Sequence, residues 1–329
     1  MILVLALVGC TPRTIALGEK DDVVGSDTAD TSDTSETDAD TDADTDTDTD
    51  TDTDTDTDTD TDADADTDAD TDADTSADCV AYGLVANDAL DLQNGASIDA
   101  YDATLGVWGG ANVRSDAAVV VNASAACALT VAGTLSGDAW VGGDPASSYC
   151  EGWGSAVSGA VSALPSTVAM PTVILPSGMP ASIGDVTTAW EETYTLSADT
   201  TVNGLNVAYG SHLVFTGSLR LVVDGDLAID GATVTIPAGA QVDVYVTGAT
   251  RIGWGATVNT DGEPARLRLH LLGGDGLTID YGGALTAAIE QPDGAFTNNG
   301  GAFSGTWAGA SLTMVWGATT HLDASRLCE

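Results

Sequence analysis

Cations are what this sequence has least of. Against 51 Asp and Glu it carries 8 Lys and Arg, a formal net charge of −43. Lysine does not recur after Lys20, which leaves six arginines for the rest of the chain. Neutralising phosphates requires clustered Lys and Arg, so no nucleic-acid partner is expected, and charge-driven binding to an anionic membrane surface is excluded too. Metal-ligand spacing is also missing. No C-x-x-C pair occurs and His212, His270 and His321 are scattered, so no metal and no cofactor is expected. Helical periodicity is nearly absent beyond the first quarter of the chain, which points to strands and tight turns.

What is present begins with an apolar run, Met1-Ile2-Leu3-Val4-Leu5-Ala6-Leu7-Val8-Gly9-Cys10. It is too short to span a bilayer. The ending Leu7-Val8-Gly9-Cys10 resembles the lipobox of bacterial lipoproteins. That resemblance implies lipidation of Cys10, a membrane anchor made of acyl chains and a place in the bacterial cell envelope, at the outer membrane or cell surface. The run departs from an ordinary signal in having no Lys or Arg before it, which suggests a true start further upstream.

Residues 11–78 read as a tether. From Thr37 to Asp74 almost every second residue is Asp, with Thr or Ala between. Dense like charge and almost no apolar surface cannot offset the entropy of ordering, so the segment is expected to be disordered. About 60 flexible residues reach roughly 40–45 Å. Calcium loops need glycine at fixed turns; this run has none.

Residues 79–329 form the folded domain, and one pattern recurs there. It reads apolar, two residues, Gly, small, any, apolar, as in Leu92-Gln93-Asn94-Gly95-Ala96-Ser97-Ile98. The copies centre on Gly95, Gly210, Gly255, Gly282 and, more weakly, Gly317, with Gly231 one residue short. Most later intervals fall in the twenties and lengthen toward the C-terminus. A repeat of this size, unable to bury its own apolar side chains, predicts an all-β solenoid of the parallel β-helix type; a β-sandwich is the alternative. Residues 164–185, with Pro165, Pro171, Pro176 and Pro180, break the pattern. They predict an extended segment lying along the coils or joining two halves of them.

Stretches such as Asn94-Gly95-Ala96-Ser97-Ile98-Asp99-Ala100-Tyr101-Asp102 and Val234-Thr235-Ile236-Pro237-Ala238-Gly239-Ala240 follow this grammar, as do Leu312-Thr313-Met314 and His321-Leu322-Asp323. Residues 90–327 thereby resemble an uncharacterised β-helical domain of bacterial surface proteins and, more distantly, the bactofilins. The resemblance implies the fold and leaves function open.

Four cysteines remain after Cys10: Cys79, Cys127, Cys150 and Cys328. In an exported chain they read as two disulfides with three possible pairings, Cys79 and Cys328 marking the two ends of the domain. No enzyme is expected. Asp224, Asp226, Asp230 and Asp243, with Arg220 and Arg251 nearby, are candidates for a carboxylate site of polysaccharide chemistry; turn acids are the simpler reading. His212 beside Ser211 lacks a G-x-S-x-G context, and His321 with Asp323 reads as a capping pair. Tyr209, Trp254, Tyr281 and Trp316 each precede a repeat glycine, so stacked coils would align them along one edge. There they would either seal a corner or contact sugar rings. The expectation is a lipid-anchored, non-catalytic solenoid for scaffolding, adhesion or glycan contact, with an envelope polysaccharide or surface protein as partner. A carbohydrate-active enzyme is the alternative.

Overall fold

The computed structural model describes residues 82–274 and 276–326. Cys10, the Asp/Thr run, Cys79 and Cys328 lie outside the described residues. Within them the chain is a β-solenoid with three faces, every coil contributing one strand to each. Face I carries Leu205–Val207, Leu227–Ile229, Thr250–Ile252 and Leu277–Ile279 in direct parallel register. Face II carries Thr193–Leu196, His212–Phe215 and Thr233–Thr235. Face III carries Leu219–Val223, Val242–Val246 and Leu267–Leu271.

Alternation explains the core. In the face III strands Leu219, Leu221 and Val223 point inward and stack on Val242, Val244 and Val246, then on Leu267, Leu269 and Leu271. Each such residue removed from water stabilises the fold by roughly 1.5–3 kcal/mol. Strands are not all short, as the sequence suggested. Ala284–Asn299 and Ala302–Val315 run unbroken for 16 and 14 residues by bending around corners. They pair with each other over almost their whole length.

The coils do not stack in chain order. Thr319–Asp323, the last strand, pairs on one side with residues 302–305 and on the other with Ser97–Tyr101 near the start. Leu84–Leu92 lies directly on Ala302–Val315. Residues 84–163 therefore continue the stack beyond residue 323, and the first and last described strands meet inside it. The expectation that Cys79 and Cys328 mark the ends of the domain falls on residues outside the described ones; the first and last described strands, Leu84–Leu92 and Thr319–Asp323, lie inside the stack and not at its outer ends. The join is filled by Trp307, which faces Leu84 across the strands and touches Phe296, itself edge-on to Phe303.

One consequence falls on the proline-rich segment. Ala163 ends the outermost strand at one end of the stack, whereas Val186 opens the outermost strand at the other. Residues 164–185 must return along the whole stack. Each face has ten strands among the described residues, hence nine steps of ~4.8 Å, or roughly 43 Å. Twenty-two residues of extended polyproline-like chain, at ~3.1 Å each, cover that distance easily. The strap is pinned by Asn122, whose side chain both donates to the Val168 carbonyl and accepts from its N–H. At the far end Ile183 N–H donates to Thr201, and Asn203 N–H to Gly184.

Candidate functional site

The corner between faces I and II is where the repeat glycines lie. Register on the two flanking faces aligns ten consecutive turns there. In eight of the turns a glycine takes up the left-handed region, namely Gly210, Gly231, Gly255, Gly282, Gly300, Gly317, Gly95 and Gly154, and Trp316 beside Gly317 does so as well, with φ of 56°. At the first turn the place is taken by Glu191, with φ of 58°. The residue before it is Trp190, Tyr209, Trp254, Tyr281, Trp316 and Trp153 in six of the turns.

All four aromatics singled out from sequence thus lie on one edge, and the structure adds Trp190 and Trp153. Sequence reasoning missed Trp190 because Glu191 stands where the motif demands Gly. The signal for Trp153-Gly154 was present, with Val157 at the expected distance after it, but Glu151 stands where the motif opens on an apolar residue. The long interval from Gly282 to Gly317 also resolves into two coils. Ile279 pairs with Asn298 and Asn298 with Met314, so a coil with Gly300 at its corner lies between. The coils shorten there rather than lengthen.

Every ring on this edge is exposed: Tyr209 61%, Trp190 63%, Tyr281 65%, Trp254 68%, Trp316 81% and Trp153 85%. They are grouped. Trp190 stacks on Tyr209 with centroids 5.3 Å apart, and Trp254 lies tilted on Tyr281 at 6.2 Å. The gaps have a steric cause. The turns at Gly231 and Gly300 lack the aromatic position, and the preceding ring, Tyr209 or Tyr281, lies over the bare glycine. A Cβ at Gly231 would overlap the Tyr209 ring.

Beside the rings runs an ion ladder. Arg251, on the coil of Trp254, donates to Asp230 on one neighbouring coil at 3.0 Å and to Asp280 on the other at 2.8 Å. Gly253 leaves the room this needs, since any Cβ there would collide with the Asp230 carboxylate. Exposed pairs of this kind contribute little stability. They do leave planar donors and acceptors next to apolar rings.

The other weighed acids are dispersed. Asp224 accepts from the Thr247 hydroxyl and Asp226 from the Ala249 N–H, each tying one turn to the next coil. Arg220 pairs with Asp199 across adjacent coils of face III, which holds the Asp199 carboxyl below its ordinary range through hydrogen bonds to the guanidinium. Asp243 belongs to a cluster that sequence spacing gave no reason to expect. His270 lies between Asp243 and Glu290, at 3.4 and 2.9 Å, with the Tyr245 ring stacked on its imidazole at 4.4 Å. Burial works against a charge on His270, but the hydrogen bonds from both carboxylates outweigh it and raise its pKa to about 9. Burial likewise opposes ionisation of Asp243, and its bond to His270 more than compensates, leaving its pKa lowered.

His212 is exposed on face II. His321 and Asp323 share a face but not a bond. His321 pairs with Asp99, whereas Asp323 accepts from the Ala103 and Ser325 N–H groups. Of the cysteines, Cys127 and Cys150 form a disulfide between adjacent coils, Cα atoms 5.0 Å apart. Among the described residues no group of three or more His, Cys, Asp or Glu is placed to hold a metal ion.

Residues 192–326 match a domain of unknown function (DUF7305). No curated protein and no solved structure matches the chain.

Proposed function

We propose that this chain is a cell-envelope lipoprotein whose solenoid binds polysaccharide along its aromatic edge, the acidic tether holding it away from a membrane anchored through Cys10. The observation that carries the reading is the row of exposed rings beside the Asp230–Arg251–Asp280 ladder. Rings that sealed a corner would be buried; these leave most of their ~150–250 Å² apiece to a partner. Sugar rings present apolar faces and equatorial hydroxyls, which match aromatic faces flanked by guanidinium and carboxylate groups. The net charge of −43 repels anionic polymers,, so the partner is a neutral glycan. The edge is read as binding rather than cleaving, since Asp230 and Asp280 are both committed to Arg251.

The test is retention on insoluble neutral glucans and on chitin. The double variant Trp254→Ala/Tyr281→Ala is expected to lose retention about tenfold or more, in line with ~0.5–1.5 kcal/mol per aromatic contact beyond area burial. Its melting temperature should stay within a few degrees of the parent. Failure of the parent to bind any of these matrices, or unchanged retention of the variant, defeats the glycan reading. In cells, Cys10→Ser is expected to move the protein out of the membrane fraction; continued membrane association would remove the anchor from the proposal.

A further inference from the structure

Away from the aromatic edge, face II carries a second constellation. Thr286, Ser304, His321 and Asp99 occupy one outward row on four successive strands, each in direct register with the next. Asp99 Oδ1 lies 2.6 Å from His321 Nδ1. The imidazole is only 5% exposed. The Trp108 indole stacks on it at 3.8 Å, while Trp108 Nε1 donates to the same Asp99 oxygen at 3.1 Å. An ionised carboxylate only accepts hydrogen bonds, so Nδ1 carries the proton and Nε2 is left as the base. The two nitrogens lie on opposite sides of the ring. Ser304 stands on the strand to the other side of His321, one strand spacing or ~4.8 Å away,.

Ser304 and His321 line one cleft of about 320 Å³. Its lining includes small residues, Ala284 and Ala302, and the loop after Tyr101 supplies a wall through Val107 and Trp108. That volume and apolar lining suit a short acyl chain better than a sugar. Thr286, on the strand beyond Ser304, brings a hydroxyl donor to the same cleft.

We propose that Ser304, His321 and Asp99 form an acyl-transfer triad that hydrolyses esters of small acyl groups. Ser304 Oγ attacks the ester carbonyl carbon and its proton passes to His321 Nε2. The bond to the alcohol oxygen breaks, and the alcohol leaves with that proton. Water, deprotonated by His321, then attacks the acyl-serine and releases the carboxylic acid with Ser304 restored. Asp99 is a positioning residue that holds the imidazole tautomer and stabilises its charged form, and Thr286 donates to the developing oxyanion. Triads of this kind are defined by geometry rather than by sequence order, so the missing G-x-S-x-G context does not count against this one. The proposal stands independently of the glycan reading.

Full-length protein is treated with a fluorophosphonate probe and assayed with p-nitrophenyl acetate. Labelling is expected on the peptide that carries Ser304. Ser304→Ala should abolish the label and lower ester turnover by roughly 10³-fold, and Asp99→Asn should lower kcat comparably with KM little changed, as for loss of the correct tautomer. Both variants should keep the parent's melting temperature within a few degrees. No labelling, labelling of a different serine, or turnover that survives Ser304→Ala overturns the assignment.

Discussion

Residues 186–323 and residues 84–163 share one coil stack, yet they build it differently. The first arm has core strands of three to five residues that lead into the long strands Ala284–Asn299 and Ala302–Val315. Nearly all of it falls within the matched span 192–326. The second arm opens on the nine-residue strand Leu84–Leu92 and includes five-residue strands such as Ala117–Val121 and Gly137–Val141, but has nothing as long as residues 284–315 and shrinks to pairs at Thr134–Leu135 and Ala156–Val157. It also carries the loop that walls the cleft and the Cys127–Cys150 disulfide. Backbone pairing and apolar stacking grow with strand length, so the first arm is held by its own register. The second lacks a pairing as continuous as that of residues 284–315 and adds a covalent link between coils. Arms so different should respond differently to the same insult, and that difference can be measured.

The largest effect is expected at the join. Trp307 is 2% exposed and bridges the two arms, so Trp307→Ala should cost about 3–5 kcal/mol and split urea unfolding into two transitions. A single transition with a loss below about 1 kcal/mol would mean that the arms are not separable units. Next comes the disulfide. It closes a loop with a sequence separation of 23, for which chain-entropy arguments give about 3 kcal/mol. Cys127→Ser/Cys150→Ser should raise amide exchange through residues 84–163 and leave residues 186–323 protected; equal loss in both arms would erase the contrast.

The smallest expected effect depends on pH and belongs to the first arm alone. The folded pKa of His270 lies above its ordinary 6.5, at about 9. Its contribution is therefore complete below about 6.5 and is lost as pH rises through about 9. Asp243 is shifted down, so its share is present at neutral pH and disappears on acidification. The stability gap between the parent and His270→Gln should thus be widest at mildly acidic pH, below about 6.5 and above the carboxylate range, on the order of 2 kcal/mol, and should close in alkali. A gap that widens above pH about 9 would show that His270 is neutral when folded.

How far the sequence could be read follows from the range of each interaction. Alternation in Val242–Val246 and glycine before a small residue at Gly210 or Gly255 are local signals, and they were enough to give the coil and its aromatic corner. Pro165 to Pro180 announced an extended segment for the same reason, since proline acts on its own backbone. The row of Tyr209, Trp254, Tyr281 and Trp316 was visible because it rides on the repeat. Trp190 was not, because Glu191 hides the turn that places it. The His270 cluster depends on residues 20 and 27 positions apart whose alignment follows from coil length, and coil length varies from turn to turn.

The sequence by itself determined the kind of structure: strands too short and too apolar to stand alone, glycine corners that stack, and an acidic run that cannot form a core. Only the tertiary structure decided the order of the coils. One parallel coil presents much the same unpaired edge as any other, so no local signal says that Ser97–Tyr101 will pair with Thr319–Asp323. The return of residues 164–185 along the stack and the meeting of the first and last described strands both depend on that choice. So does the contact between Asp99 and His321, 222 positions apart, because a backbone edge selects its partner by global fit and packing rather than by the residues beside it.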